Sequence, residues 1–377
     1  MSHWNTWVAE QLDRVRREGR WRKLIAYDGA DVTGRVDGRN IVTFASNDYL
    51  GLANHPQVRA AAHEAIERWG TGATASRLIV GTRPVHLELE SEIAQWKHTE
   101  RALVFPNGFG ANLSVLATLG VSGTIFSDAL NHASIIDGCR LAAANVKVYR
   151  HGDAGHLEDL LLSTSGPKIV VTDAVFSMDG DVAPLQDIAA LCVQHDALLI
   201  VDEAHAVFGL DIPSLTGLQL LRVGTLSKTL GALGGWVAGS ASMIDLLINR
   251  GRAFIFTTGL SPADAAAGLA ALRIYRSEEG DALRGRLRQL VDQLIVGHPS
   301  PIVPVILGEE GVAVAAAQRL LETGLWVPAI RPPTVPVGTA RLRIALSTAH
   351  TDAMVQRLKT ALLDQLPGNC EFLHAIR

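Results

Sequence analysis

Three side chains that can share one reaction stand at the ends of apolar runs. Asp202 and His205, three residues apart, close the stretch IVDEAH at 200–205, and Lys228 follows the run LRVGTLS and precedes the glycine-rich GALGG. An acid ending one run and a lysine ending the next can face a common ligand, because the carboxyl ends of parallel strands gather at one edge of a sheet. The letters DEAH in the first stretch suggest a different chemistry, a magnesium-holding strand end in a nucleotide hydrolase. That reading needs an upstream phosphate cradle in which a lysine follows a glycine. The chain has six lysines, Lys23, Lys97, Lys147, Lys168, Lys228 and Lys359, and none follows a glycine. The DEAH-type ATPase is therefore disfavoured, and the acid, the histidine and the lysine need another joint use.

Bulk properties narrow the choice. The 34 basic and 38 acidic residues are scattered through the 377, for a formal charge of -4, so no basic stripe would concentrate a nucleic-acid backbone. With 48% hydrophobic residues the chain can bury a large core. Cys139, Cys192 and Cys370 are too few and too far apart for a disulfide framework or a metal cluster, which predicts a reducing, cytoplasmic setting and no metal. No apolar run approaches the ~18 residues of a membrane span. The opening MSHWNTWVAEQLDRVRREGRWRKL reads as a polar helical arm rather than a signal peptide.

The elements that must hold these residues read as strands alternating with helices. RALVF (101–105), KIVVTD (168–173), ALLIVDEA (197–204) and LRVGTLS (221–227) are short apolar runs, separated by segments such as GANLSVLATL and APLQDIAALCVQH. That pattern predicts an α/β fold with a mostly parallel central sheet flanked by helices. One long helical stretch is expected from about Pro262 to Gln293, then a strand at 302–307, a helix near 311–323 and a hairpin at 341–347. The predicted division is an arm and start of a small domain at 1–40, a large domain at 41–275, and a small α/β carboxy-terminal domain at 276–377.

An aspartate and a lysine facing one ligand suit pyridoxal phosphate, whose aldehyde condenses with an amine and whose ring nitrogen needs a carboxylate partner. Lys228 would supply the amine, Asp202 the carboxylate, and His205 a contact to the ring's phenolic oxygen; a strand-end histidine satisfied by the core is the plain alternative for His205. The strand 101–105, the turn Pro106-Asn107-Gly108 and a helix from Gly110 would aim the amides of Gly108 and Phe109 at the phosphate. Thr225 would add a hydroxyl, Ser177 in FSMDGD another at the same edge, and His132 in the loop after Asp128 a flat ring to stack on the pyridine.

The ordered series SNDYLGL (46–52), GTGATASRLIVGT (70–82), HLELESEIAQW (86–96), FPNGFGAN (105–112), DALNHASIIDG (128–138), VFSMDGD (175–181), VDEAH (201–205) and TLSK (225–228) resembles the fold-type I pyridoxal-phosphate enzymes, and within them the α-oxoamine synthases. The resemblance spans nearly the whole chain. It implies condensation of an amino acid with an acyl thioester and loss of carbon dioxide, with Lys228 and His132 catalytic. It further implies a homodimer with the site at the interface, where Thr258 reaches the neighbouring subunit's phosphate. The stretch 329–344, with RPPT at 331–334, is similar to the branch that joins L-alanine to a pimeloyl thioester, carried on coenzyme A or acyl carrier protein, in biotin formation. By position, Arg22, Arg331 and Thr334 would meet substrate. A sister branch acting on glycine and an acetyl thioester is the alternative. One departure is AVFGLDIPSLTGLQL (206–220), shorter than the glycine-rich segment usual there, which implies an altered access path for the acyl chain.

Overall fold

A computed structural model of the chain describes residues 2–210, 212–366, 370 and 372. Its centre is a seven-stranded sheet made of β3 (Arg101–Phe105), β4 (Thr124–Asp128), β5 (Asn145–Tyr149), β6 (Lys168–Asp173), β7 (Ala197–Asp202), β8 (Gln219–Thr225) and β9 (Gly235–Gly239). The order across it is β3-β9-β8-β7-β6-β4-β5. Strands β8, β7, β6, β4 and β5 run parallel, whereas β9 is antiparallel to both of its neighbours. The parallel α/β reading holds, with an antiparallel insertion that the run of glycines concealed: GALGG looks like a turn, yet Gly235 already belongs to β9. A Cβ on Gly235 would come within 2.4 Å of the Asn107 carbonyl oxygen, so a bare backbone is what lets this strand pass the turn after β3.

Both faces of the sheet are covered, which is why its strands read as continuous apolar runs. Ile169, Val171 and Ile200 pack on one side with Ala111, Val115 and Leu116 of α4 (Gly108–Leu119), Ile135 of α5 (Ala133–Leu141) and Leu247 of α8 (Ala241–Arg250). The alternate residues Val170, Leu199 and Val201 pack on the other with Leu157 of α6 (Ala154–Leu162) and Ile188 of α7 (Leu185–Gln194). A third cluster joins α2 (Pro56–Trp69), α3 (Pro84–Lys97) and α10 (Pro262–Tyr275) to the carboxy-terminal elements.

Those carboxy-terminal elements are α11 (Glu278–Leu294), β10 (Ile302–Gly308), α12 (Glu310–Glu322), β11 (Leu325–Trp326), β12 (Ala329–Ile330), β13 (Ala340–Ala345) and α13 (Asp352–Gln365). The stretch 262–293 is two helices rather than one, since Arg276 caps α10 and Ser277 precedes the acidic first turn of α11. Residues 341–347 form no hairpin: β13 is a single strand between β10 and β12. The arm begins with α1 (His3–Arg17); β1 (Thr33–Val36) pairs with β2 (Arg39–Thr43), and β2 pairs with β11, so the chain's beginning joins its end. Among the described residues no helix is long and apolar enough to cross a membrane, and no group of His, Cys, Asp or Glu is arranged to hold a metal.

Candidate active site

The carboxyl edge of the sheet gathers the reactive side chains. Asp202 ends β7, Asp173 ends β6 directly beside it, and Thr225 ends β8 three residues before Lys228. Opposite them α4 begins, capped by Asn107, whose side-chain oxygen accepts from the Gly110 amide at 2.7 Å. Helix α4 starts at Gly108, two residues earlier than its sequence suggests, so Gly108 and Phe109 are its first turn. First-turn N–H groups have no intrahelical carbonyl and attract an anion. A Cβ on Gly108 would stand 3.3 Å from Cβ of Thr225, so the first turn lies close against the end of β8. The cleft so formed, about 160 Å³, is lined by Gly108, Phe109, His132, Asp202, His205, Thr225 and Lys228, together with Asn112, Ser134, Asp173 and Ser227.

This donor set fits pyridoxal phosphate. Near the start of α4 lie helix amides and the hydroxyl of Ser227, suited to a phosphate, while the Thr225 hydroxyl donates to the carbonyl of Gly234 at 2.7 Å. The same cleft holds a carboxylate for a ring nitrogen, an amine and an imidazole. Asp202 is 5% exposed, and its carboxylate is oriented at both oxygens: Oδ1 accepts from the Ala204 amide at 2.9 Å and Oδ2 from Nδ2 of Asn112 at 2.7 Å. Burial lowers the Lys228 amine from its ordinary range, against the pull of Asp202 and Asp173. Burial also holds His205 well below its ordinary value, with Lys228 adding to the effect, so its ring is neutral at neutral pH. Nδ1 of His205 shares a 2.6 Å hydrogen bond with the Tyr49 hydroxyl, itself pushed up to about 12 by burial. That bond occupies one ring nitrogen and leaves Nε2 as the other.

His132 caps α5, its Nδ1 accepting from the Ser134 amide at 3.2 Å. Its own amide donates to Oδ2 of Asp173 at 2.7 Å. Asp173 is raised well above the usual carboxylate range, first by burial and then by Asp202.

The remaining expected residues lie elsewhere. Ser177 does not line the cleft; its carbonyl accepts from Nε of Arg343 at 2.6 Å. Thr258 is exposed on the segment before α10, where the next residue, Gly259, donates to the carbonyl of Ala75. Arg22, Arg331 and Thr334 meet in a separate groove of about 670 Å³, floored by Val314, Ala317, Leu321 and Val327. There Arg331 donates to the carbonyls of Gly19 at 2.5 Å and Trp21 at 3.1 Å.

Other residues joined the site without being anticipated. Asn112 sits inside a mostly apolar helix, where a buried amide is costly unless its hydrogens are used. Arg343 lies within β13, a wholly buried strand; it is 5% exposed, donates to Oδ1 of Asn47 at 3.1 Å and acts electrostatically on Lys228 and His205. Two arginines at alternating positions of an apolar strand, Arg341 and Arg343, were the available signal. Glu203 points away from the cleft: its carboxylate is paired with Nζ of Lys97 at 2.6 Å and with Arg222.

A sheet edge that presents a lysine, a carboxylate and a helix amino terminus to one ligand defines a pyridoxal-phosphate-dependent transferase. Residues 39–362 match the aminotransferase class I and II family. The 8-amino-7-oxononanoate synthase of Anaeromyxobacter dehalogenans is 46% identical over 96% of each chain. Among solved structures, a serine palmitoyltransferase (SPT) with its PLP internal aldimine superposes with a TM-score of 0.89, at 29% identity, over 96% of this chain and 97% of that one. The 8-amino-7-oxononanoate synthase of Francisella tularensis superposes with a TM-score of 0.71, at 26% identity, over 85% and 96%. The chain belongs to the aminotransferase class I and II family, in the branch of the 8-amino-7-oxononanoate synthases.

Proposed function

We propose that the protein condenses L-alanine with a pimeloyl thioester, releasing the thiol and carbon dioxide, to form 8-amino-7-oxononanoate for biotin. The observation that carries this reading is the cleft in which Lys228, Asp202 and the start of α4 converge. Pyridoxal phosphate, when bound, captures the amino group of alanine and draws off the electrons left when the α-carbon loses a proton. Gly108, Phe109, Thr225 and Ser227 would hold its phosphate, Asp202 its ring nitrogen, His205 its phenolic oxygen and His132 its face.

Lys228 carries the proton transfers. Its lowered basicity, from burial, makes a neutral Nζ more accessible at neutral pH than the ~10.4 of a free lysine allows, so the amine can remove the α-proton and later return one. Arg343 supplies a buried cation for the alanine carboxylate, a group whose planar fork pairs bidentately with carboxylates. The groove of Arg22, Arg331 and Thr334 offers an apolar floor with a cationic rim, which suits an acyl chain ending in a carboxylate. The thioester carrier is coenzyme A or acyl carrier protein, and the setting is the cytoplasm.

We further propose a homodimer in which exposed Thr258 and its neighbour Phe256, 70% exposed, meet the second subunit near its phosphate site. Residues 1–40, 41–275 and 276–377 are taken as arm, large domain and small domain. The test is a substrate matrix: purified enzyme with alanine or glycine against pimeloyl and acetyl thioesters. Turnover only with alanine and the pimeloyl donor is expected; turnover only with glycine and acetyl-CoA overturns the assignment.

A further inference from the structure

We propose that Asn112 is a positioning residue of the reaction, whose two amide hydrogens hold Asp202 and, through Ser134, the His132 ring in one arrangement. The inference rests on the cofactor reading of the cleft. Asn112 is the fifth residue of α4 and is 2% exposed. Its neighbours on the helix, Ala111, Val115 and Leu116, are wholly buried, so an amide here is costly unless its hydrogens are used. Both are used: Nδ2 donates to Oδ2 of Asp202 at 2.7 Å and to Oγ of Ser134 at 2.9 Å.

The direction of this chain follows from the chemistry of its members. An ionised carboxylate only accepts, so the NH₂ group and not Oδ1 must face Asp202. Ser134 Oγ then accepts from Asn112, and its single hydrogen is left for Nδ1 of His132 at 2.8 Å. His132 Nδ1 receives a second donor from the Ser134 amide, which makes it an acceptor and places the ring proton on Nε2. Among the described residues the Oδ1 atom of Asn112 is buried with no hydrogen-bond partner. Tolerating that orphan is explicable if the two donors are what the position is kept for. One amide thus fixes the carboxylate expected at the ring nitrogen and the imidazole expected on the ring face.

Donors to Nδ1 stabilise neutral His132, so removing them makes the ring easier to protonate. The test is the ¹⁵N-detected titration of His132 in the cofactor-free protein, assigned by a His132→Gln variant, alongside kcat and the pH profile of the loaded enzyme. In Ser134→Ala, which removes one donor to Nδ1, the titration midpoint should rise by about 0.5–1 pH unit, the equivalent of one hydrogen bond, and in Asn112→Leu, which leaves both donors but frees the Ser134 hydroxyl to turn, it should rise by less. Each change should lower kcat by about tenfold, and the double variant should fall well short of a hundredfold because the two act through one chain. Ser134→Thr, which keeps the hydroxyl, should restore both. An unmoved midpoint in Ser134→Ala, or fully multiplicative losses in the double variant, overturns the proposal even if Asn112→Leu does not fold. Failure of the wild-type protein to bind pyridoxal phosphate would instead sink the cofactor reading, and the titration distinguishes the two because it needs no cofactor.

Discussion

Asp202 and Glu203 are adjacent, acidic and buried, at 5% and 7% exposure, yet they belong to two different devices. Successive side chains of a strand end point to opposite sides. Asp202 turns into the cleft, where an amide and an asparagine orient it while both oxygens keep further acceptor capacity. Glu203 turns the other way into an ion pair with Lys97 and Arg222, and Nζ of Lys97 in turn lies over the rings of Trp96 and Trp236. Its carboxyl is held below the usual range because Lys97 and Arg222 outweigh its burial. A buried acid that is fully compensated is structure; one whose remaining valence faces a cleft is available for chemistry.

The comparison can be broken most severely at Lys228. Lys228→Ala should lower kcat by roughly 10⁴ or more and abolish the visible absorption that a lysine-bound pyridoxal phosphate gives. A protein that stays coloured and active would remove the cleft's central premise. Next, Asp202→Asn should cost roughly 10²–10³ in kcat, the loss typical of one preorganised electrostatic partner, with little change in unfolding midpoint. Glu203→Gln should do the reverse, leaving two cations short of a partner and lowering unfolding free energy by about 3–5 kcal/mol while kcat of the folded enzyme barely moves. If Glu203→Gln were the more damaging to catalysis, the division between the two acids would be wrong.

A milder probe lies at the rim, where His151 bridges Asp128 at 2.9 Å and Asp181 at 2.7 Å and ties the loop of His132 to the loop of Ser177. Hydrogen bonds to Asp128 and then Asp181 raise this imidazole to about 10. A folded value above the unfolded ~6.5 means that its stabilisation is complete below about pH 6.5 and fades as pH climbs through about 10. Thermal unfolding of wild type and His151→Gln should therefore differ most near pH 6 and converge by pH ~10. An unchanging difference across that range would assign the clamp no charge.

How much of this was readable in advance depended on whether a residue's neighbours in space were also its neighbours in sequence. Strands β3, β6, β7 and β8 announced themselves as apolar runs, and Asp202, Thr225 and Lys228 as their ends. The antiparallel β9 was hidden because GWVAG lacks the β-branched density of its partners and follows a glycine run. The break at Arg276–Ser277 was masked by charges that continue at helical spacing on both sides. Asn112 lines the cleft from a helix, and Arg343 acts on it electrostatically from a strand far along the chain, and only tertiary packing gives their polarity a purpose. Glu203 was expected to point away from the cofactor once the DEAH role was set aside, and it does.

Arg331 grips the carbonyls of Gly19 and Trp21, and a guanidinium bonded to main-chain oxygen is indifferent to which side chains those residues carry. The path of the arm past the cationic groove is in that respect written in backbone, with side-chain ties added by Arg20, which pairs with Glu310, and a left-handed φ of 65° at Gly19 that favours glycine. Arg22, one position past Trp21, then inherits a fixed address from a contact in which it takes no part.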